Sequence, residues 1–455
     1  MYYNDSVQIQ LGDKLSSQVW FTRGVKQGCC LSPFLFALYI SGLGEVLQDT
    51  KLGIELGAEI LTGLFFADDL VLISRTWNRG MNSLLRILDR FCSKMSMTLS
   101  VSKTFVLTTG PKDKTWKIGD SGEELKETLV AKYLGINLQL RGRHTLGREQ
   151  DITGIARRYA HTILSITRGG LDRSRLAKIL WETCAVPAFL YGTEAMPIGS
   201  NTVIALEKIQ TMVGKFILQV PGSTSKVAAW CDAGLMPIQY RIWKRKAVFL
   251  WKLIFRNEDA LMQEGLRDII SVGGEDPWVQ EISTIEAALG KSITRFTLKE
   301  LKSRISHVAS LAVLDIKREH DSVSSLPQPR TWFVLQPHVN DSWYSKILNM
   351  TRAGNMRLGN RMKNRKDIQV KYCPWCEAQS IRVRLNESHL ILSCGGVKEE
   401  RTKEGVQAYF RRHSGKMANH LVLRMYLGQD GSKPDALRLR GATIHRIVEA
   451  WFNRI

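Results

Sequence analysis

The sequence predicts an α+β protein, with an antiparallel sheet carrying helices on one side over the first 140 residues and a helical region after it. Three observations lead there. Leu61–Ser74 (LTGLFFADDLVLIS) consists of two apolar, strand-like runs flanking Asp68 and Asp69, which reads as a tight hairpin. Apolar residues at helical spacing lie on both sides of it, and further alternating stretches recur up to residue 140. From about Asp151 to Arg256 the apolar residues keep the helical period throughout.

At 455 residues the chain has room for roughly two to four domains. Its 64 Lys and Arg against 43 Asp and Glu leave a net charge of +21. That balance points to a polyanionic partner, nucleic acid ahead of an anionic membrane surface. There is no apolar run of roughly 18 residues, so no membrane span is expected. The opening MYYNDSVQIQLGDK lacks the basic and apolar regions of a signal peptide, so an intracellular protein with reduced cysteines is expected. Cys29, Cys30, Cys92, Cys184 and Cys231 are scattered and read as small apolar residues of the core or near a site; Cys373, Cys376 and Cys394 cluster with a histidine.

In chain order, Val7–Phe21 predicts two strands, VQIQL and QVWF, joined by a Gly12-Asp13 turn. Gly24 and Gly28 bracket a loop where backbone could approach a ligand closely. Ser32-Pro33 supplies an N-cap and a first-turn proline to a helix that would bury Leu35, Leu38, Leu43, Val46 and Leu47. In the hairpin that follows, Asp-Asp is a poor turn, because two-residue loops favour Asn-Gly or Asp-Gly. Like charges about 4 Å apart repel by roughly 4 kcal/mol at an effective dielectric near 20. A divalent cation turns that repulsion into a site, although a bare pair is also an ordinary acidic turn. Met81, Leu84, Leu85, Leu88, Phe91, Cys92 and Met95 predict a helix over one face of the sheet. Met97–Leu107 alternates into a strand with Lys103 near its centre, and Tyr133–Ile136 begins another.

The ordered set Gly24–Pro33 (GVKQGCCLSP), Phe66–Asp69 (FADD), Leu99–Thr104 (LSVSKT) and Tyr133–Ile136 (YLGI) resembles the reverse transcriptase palm of LINE-type, non-LTR retrotransposons over roughly Arg23–Leu138. The resemblance implies RNA-directed DNA polymerase activity, the transfer of deoxynucleotides to a primer 3′-hydroxyl with Mg²⁺ or Mn²⁺. Its partners would be an RNA template, a DNA primer or target DNA and dNTPs. It implies that Asp68 is the principal metal ligand with Asp69 beside it, and that Gln27 and Gly28 line the template and incoming nucleotide. Phe66 and Ala67 would underlie the primer end, Lys103 would meet the triphosphate or protonate the pyrophosphate, and Tyr133, Leu134, Gly135 and Ile136 would form the primer grip. It also implies action in the nucleus, with passage through a cytoplasmic ribonucleoprotein. The family's palm carries a third carboxylate on an earlier strand, and before Gly24 the only acids are Asp5 and Asp13. The chain is therefore expected to be the C-terminal part of a longer polyprotein that starts inside a truncated right-hand palm. A non-catalytic nucleic-acid-binding remnant is the competing expectation. A group II intron maturase shares palm motifs, but the cysteine block and the lack of an HNH pattern argue against it.

On this basis residues 1–140 are the palm, without fingers or the first catalytic-Asp motif, and 150–260 a helical thumb. There Arg157, Arg158, Arg168, Arg173, Arg175, Lys178, Arg241, Lys244, Arg245 and Lys246 lie opposite the apolar stripes; they would grip phosphates or simply be solvated. Residues 261–345 are a helical connector with a Pro-containing linker. Residues 346–400 hold Cys373-x₂-Cys376, then His389-x₄-Cys394, separated by twelve residues. Cys₃His is a tetrahedral Zn²⁺ set; two core thiols and a packed histidine are the structural alternative. The block resembles the CCHC zinc knuckle downstream of LINE polymerases, with a longer gap, and its basic flanks and Trp375 suit RNA. Residues 401–455 read as two helices, in which Lys433-Pro434-Asp435 with Glu449 faintly resembles a restriction-like endonuclease core, although a Pro-Asp turn before a helix explains it adequately.

Overall fold

A computed structural model describes residues 6–319, except 22–23, 27, 58, 110–115, 119–121, 141–145, 169–172, 221, 223, 225 and 257–259. Beyond 319 it describes Cys376, Ala378, Gln379, Cys394, Val397, Thr443 and Ile447. The chain divides into two compact units, Met1–Arg148 with Lys252–Val279, and Glu149–Trp251 with Gln280–Ile455.

In the first unit β1 (Ser6–Val7), β2 (Gln10–Leu11), β3 (Lys14–Leu15) and β4 (Val19–Trp20) form two nested antiparallel ladders, β1–β4 outside β2–β3. This corrects the two continuous strands expected from VQIQL and QVWF. The Gly12-Asp13 turn closes only the inner pair, because the Ser16 hydroxyl accepts the Ile9 N–H that a carbonyl would take in an unbroken ladder. Helix α1 (Ser32–Asp49) follows. Ser32 does not cap it; its hydroxyl donates to the Lys26 carbonyl at 2.6 Å. The buried stripe also differs from the expected one. Leu43 and Leu47 are buried with Ile40 packed beside them, whereas Leu38 is 65% and Val46 48% exposed. At 3.6 residues per turn Leu38 lies roughly 140° round the helix from Leu43.

Two hairpins come next, β5 (Ile54–Leu56) with β6 (Glu59–Leu61), and β7 (Gly63–Phe66) with β8 (Asp69–Leu72). A π turn, Trp77–Met81, leads into α2 (Asn82–Lys94), which buries Leu84, Leu85, Leu88 and Cys92 as the spacing predicts. The strand expected over Met97–Leu107 shrinks to β9 (Phe105–Val106). Upstream of it, Thr104 bonds the Ser100 carbonyl through its hydroxyl and the Val101 carbonyl through its N–H. Those local bonds fold Val101–Lys103 into one 3₁₀ turn in place of a ladder. Strands β10 (Trp116–Lys117) and β11 (Glu124–Glu127) order as β10-β11-β9, with β9 parallel to β11. The last hairpin is β12 (Val130–Tyr133) with β13 (Ile136–Gln139), so Tyr133–Ile136 is a turn between strands and not the start of one. The single antiparallel sheet of the sequence reading is thus replaced, among the described residues, by short separate ladders and one parallel pair. Leu43, Leu47, Leu84, Leu85, Leu88, Trp116 and Leu125 join in one core.

The second unit is helical: α3 (Leu146–Thr167), α4 (Arg173–Leu180), a π turn at Trp181–Ala185, α5 (Val186–Phe189), α6 (Ser200–Leu218), α7 (Lys226–Ala233) and α8 (Ile238–Arg256). Helix α9 (Ala260–Val272) belongs to the first unit, and α10 (Pro277–Leu289) and α11 (Leu298–Glu319) complete the described helices. Asp276 caps α10 by accepting the Trp278 and Val279 N–H groups, with Pro277 at the first helical position. Thr297 and Glu300 form a reciprocal capping box at the start of α11. Trp181 and Phe189 belong to a large core, and the buried Gln210 accepts from the Trp181 indole at 3.2 Å and donates to the Met236 carbonyl at 3.0 Å. No helix among the described residues is long and apolar enough to cross a membrane.

Candidate nucleic-acid site

The β7–β8 hairpin is built for exposure at its tip. Its register pairs Gly63 with Leu72, Leu64 with Val71, Phe65 with Leu70 and Phe66 with Asp69. Because side chains alternate, Phe65, Leu70 and Leu72 share one face and Leu64, Phe66, Asp69 and Val71 the other. The first face turns inward, since Leu70 and Leu72 pack on the core of the unit. The second leaves Leu64 39% and Phe66 61% exposed beside an exposed Asp69. The two turn residues are Ala67 and Asp68, not the Asp-Asp pair expected; Asp69 already belongs to β8. Ala67 takes φ +51°, a left-handed value, at the first central position, which a II′-type turn reserves for glycine. Asp68 therefore projects from the turn and Asp69 from the first strand pair, adjacent in sequence but on different backbone geometries.

Tyr133 ends β12 opposite Ile136, and the intervening Leu134 and Gly135 both take positive φ, +46° and +81°, as a I′-type turn requires. Burial raises the Tyr133 phenol above its ordinary pKa, and the negative charge of Asp69 raises it further. The fold thus brings the YLGI turn within electrostatic reach of the FADD hairpin, across a stretch where the sequence shows no link. Lys103 is exposed on the 3₁₀ turn. Gly28 takes φ +82° with open space where a Cβ would sit, so this backbone needs glycine for its conformation rather than for close approach. Gln27, Cys373 and His389 lie outside the described residues. Cys376 and Cys394 are both buried. Among the described residues no group of three or more His, Cys, Asp or Glu side chains is gathered as a metal would require. Asp68 and Asp69 are exposed carboxylates, the donor type that Mg²⁺ takes together with phosphate oxygens.

In the helical unit the structure redistributes the basic residues. Arg241 bonds Glu182 at 3.0 Å, and Arg245 grips both oxygens of Glu194 at 2.9 and 3.0 Å. Lys178 donates to the Ala233 and Gly234 carbonyls at the end of α7. Lys246, expected on an outer face, is fully buried and held by Glu281 and the Met196 carbonyl. These side chains hold the bundle together, and tracking only the basic excess along the sequence misses the acids that claim them. Arg175 of α4 stays exposed, as does a stripe of α3 formed by Arg157, Arg158, His161, Ser165 and Arg168. Neither Arg157, Arg158 nor Arg168 has an ion pair among the described residues.

Residues 2–138 match the family model of the reverse transcriptase (RNA-dependent DNA polymerase). The chain is 36% identical over 152 residues to the retrovirus-related Pol polyprotein from type-2 retrotransposable element R2DM of Drosophila melanogaster, covering 31% of this chain and 14% of that one. It is 29% identical over 118 residues to the retrovirus-related Pol polyprotein from type-1 retrotransposable element R2 of Nasonia vitripennis, covering 26% of this chain and 11% of that one. The shared segment is a small part of either polyprotein. The family-matched residues include both the acidic hairpin and the YLGI hairpin. Residues 2–138 are thus similar to the reverse transcriptase family and to the Pol polyproteins of R2 retrotransposable elements.

Proposed function

We propose that the chain is part of an RNA-directed DNA polymerase that copies an RNA template by adding deoxynucleotides to a primer 3′-hydroxyl. The observation that carries this reading is the β7–β8 tip, which exposes Asp68 and Asp69 inside the segment matched by the family model. In the reaction the 3′-oxygen attacks the α-phosphorus of a dNTP, the bond to pyrophosphate breaks, and the hydroxyl proton leaves to solvent or a base. Asp68 and Asp69 would hold Mg²⁺, which supplies Lewis-acid stabilisation of the charge on the reacting oxygens. Phe66 and Leu64 offer an apolar shelf beside Asp69 for the primer end, and Tyr133 borders it. Lys103 is placed on an exposed turn suited to a triphosphate. Residues 149–251 act as the thumb, with Arg157, Arg158 and Arg168 meeting backbone phosphates. Replacing any one of these arginines by alanine should lower the slope of log affinity against log salt by about 0.9 on duplex. Cys373, Cys376, His389 and Cys394 would hold Zn²⁺, a reading supported by the burial of Cys376 and Cys394.

Primer extension on an RNA template with Mg²⁺, run on the complete polyprotein, tests the polymerase. Asp68→Ala is expected to reduce extension to background without altering template binding, and undiminished extension would sink the proposal. A non-catalytic binding role is the second reading, favoured by the lack of a third acid near the pair among the described residues. Extension by this chain alone would exclude it.

A further inference from the structure

The helical unit contains a cleft of about 700 Å³ between α6, the end of α3 and α7. That volume lies within the range of small-molecule sites, roughly 300–1,000 Å³. Its wall is a stripe of α6 at helical spacing, Ile204, Lys208, Met212 and Lys215, and its inner end is Phe216 and Trp230. The indole is fixed in place, because Trp230 Nε1 donates to the Thr211 hydroxyl at 3.0 Å and Lys226 lies over its ring 5.7 Å from the centroid. Lys208 is exposed and makes no hydrogen bond or ion pair among the described residues. Lys215 is held at the mouth by the Gly222 carbonyl at 2.6 Å, and partial burial lowers its pKa, so an anion beside it would relieve that cost. Ile204 is 52% exposed at the rim.

We propose that this cleft receives one unstacked nucleotide of a single-stranded nucleic acid, its base against Phe216, Met212 and Trp230 and its phosphate among Lys208, Lys215 and Lys226. The chemistry of the lining selects that occupant. An apolar ligand would leave the Lys208 ammonium unanswered, and a bare phosphate would leave the aromatic end empty; a nucleotide satisfies both. The cleft is also continuous with the basic stripe, since Leu164 of α3 lines it one turn before the exposed Arg168. A strand held along α3 by its phosphates can turn one base inward there. Glu207 also lines the cleft; its Oε1 is taken by the α8 backbone and its Oε2 accepts from the Gln210 amide at 3.4 Å. This rests on the nucleic-acid-binding reading above and names a site for single strands within it.

The test is photocrosslinking of a 5-iodouridine-substituted single strand to the complete protein, mapped by mass spectrometry, alongside titration of a nucleoside monophosphate and of inorganic phosphate. Crosslinks are expected on the peptides holding Met212, Phe216 and Trp230. They should vanish in Ile204→Trp, which fills the mouth, while crosslinks to Tyr159 and His161 of α3 persist. The monophosphate should bind roughly tenfold more weakly to Ile204→Trp and to Lys208→Ala, the size of a single base stack or phosphate interaction. Crosslinks confined to α3, a monophosphate affinity untouched by Ile204→Trp, or equal binding of inorganic phosphate would each overturn the proposal. Absence of any crosslink, with no salt-sensitive binding, would instead overturn the underlying reading.

Discussion

The sheet unit and the helical unit hold themselves together in opposite ways. Among the described residues the core around α1 and α2 gathers nine buried residues, whereas that around α6 gathers twenty-one. The sheet unit leaves Leu11 82% and Phe34 69% exposed on a ladder and a helix of its own, and Ile9 74% exposed between β1 and β2. The helical unit encloses Trp181, Phe189 and even a lysine. The contrast teaches that the recognisable motifs sit where the backbone is thin and the tips are open, and that the stability sits where no motif is readable. A polymerase site needs exposed carboxylates and a surface for nucleic acid; neither contributes to a core.

The comparison is broken most directly at Glu281. Its carboxylate accepts from Lys246 and from the Ile198 N–H at 2.8 Å, so its removal strands a buried cation and a backbone donor together. Glu281→Ala should cost about 3–5 kcal/mol, read as a lower urea midpoint by far-ultraviolet circular dichroism. The pair Lys246→Met with Glu281→Leu should recover most of that, because the stranded charge is the source of the cost. A double variant as unstable as Glu281→Ala would show that packing, not charge, is responsible. By contrast Asp68→Ala, at an exposed tip, should move stability by no more than about 0.5 kcal/mol while extension is abolished.

Glu207 sharpens the comparison through pH. Burial pushes its carboxyl up to about 7 from 4.5, against the opposing pull of the Ile238 and Gln239 N–H groups, Arg241 and Lys226. The folded state therefore holds a proton more tightly than the unfolded state between these values. Stability contributed by the protonated form is complete below about 4.5 and is lost as pH rises through about 7. At 1.36 kcal/mol per unit the whole window is worth about 3 kcal/mol. Glu207→Gln keeps an acceptor for the α8 N–H groups without the charge, so it should flatten the fall in melting temperature between pH 5 and roughly 7.5. Glu207→Ala should destabilise at every pH by removing that acceptor, by about 1 kcal/mol. An unaltered pH profile in Glu207→Gln would place the titration elsewhere.

How much of this was legible depended on whether a feature is local. The β7–β8 hairpin, α2 and the helical run after residue 150 follow from period and apolar content, and they stand as the spacing indicates. What failed was tertiary. Nothing local says that Leu38 of α1 faces outward, that Ser16 interrupts a ladder, or that the basic residues of α8 are claimed by Glu182, Glu194 and Glu281. The approach of Tyr133 to Asp69 is of the same kind, set by how two hairpins pack and not by either alone. Even within the hairpin the turn slipped by one residue, because Ala67 adopts the left-handed conformation that propensity assigns to glycine.

An effect of opposite sign lies at the base of that hairpin. Thr62 is 4% exposed; its carbonyl accepts the Ile73 N–H at 2.8 Å and extends the ladder, yet its hydroxyl has no hydrogen-bond partner among the described residues. A buried hydroxyl without a partner carries a desolvation cost that a methyl of similar shape does not. Thr62→Val keeps the β-branched shape and the backbone bond, so it should stabilise the sheet unit by about 1 kcal/mol in urea denaturation. A shift of that size is small against the core of α6 and large against nine buried residues. If Thr62→Val instead destabilises by a similar amount, the hydroxyl is bonded in solution, and the thin sheet unit is better satisfied at the foot of its acidic hairpin than its hydrogen bonds indicate.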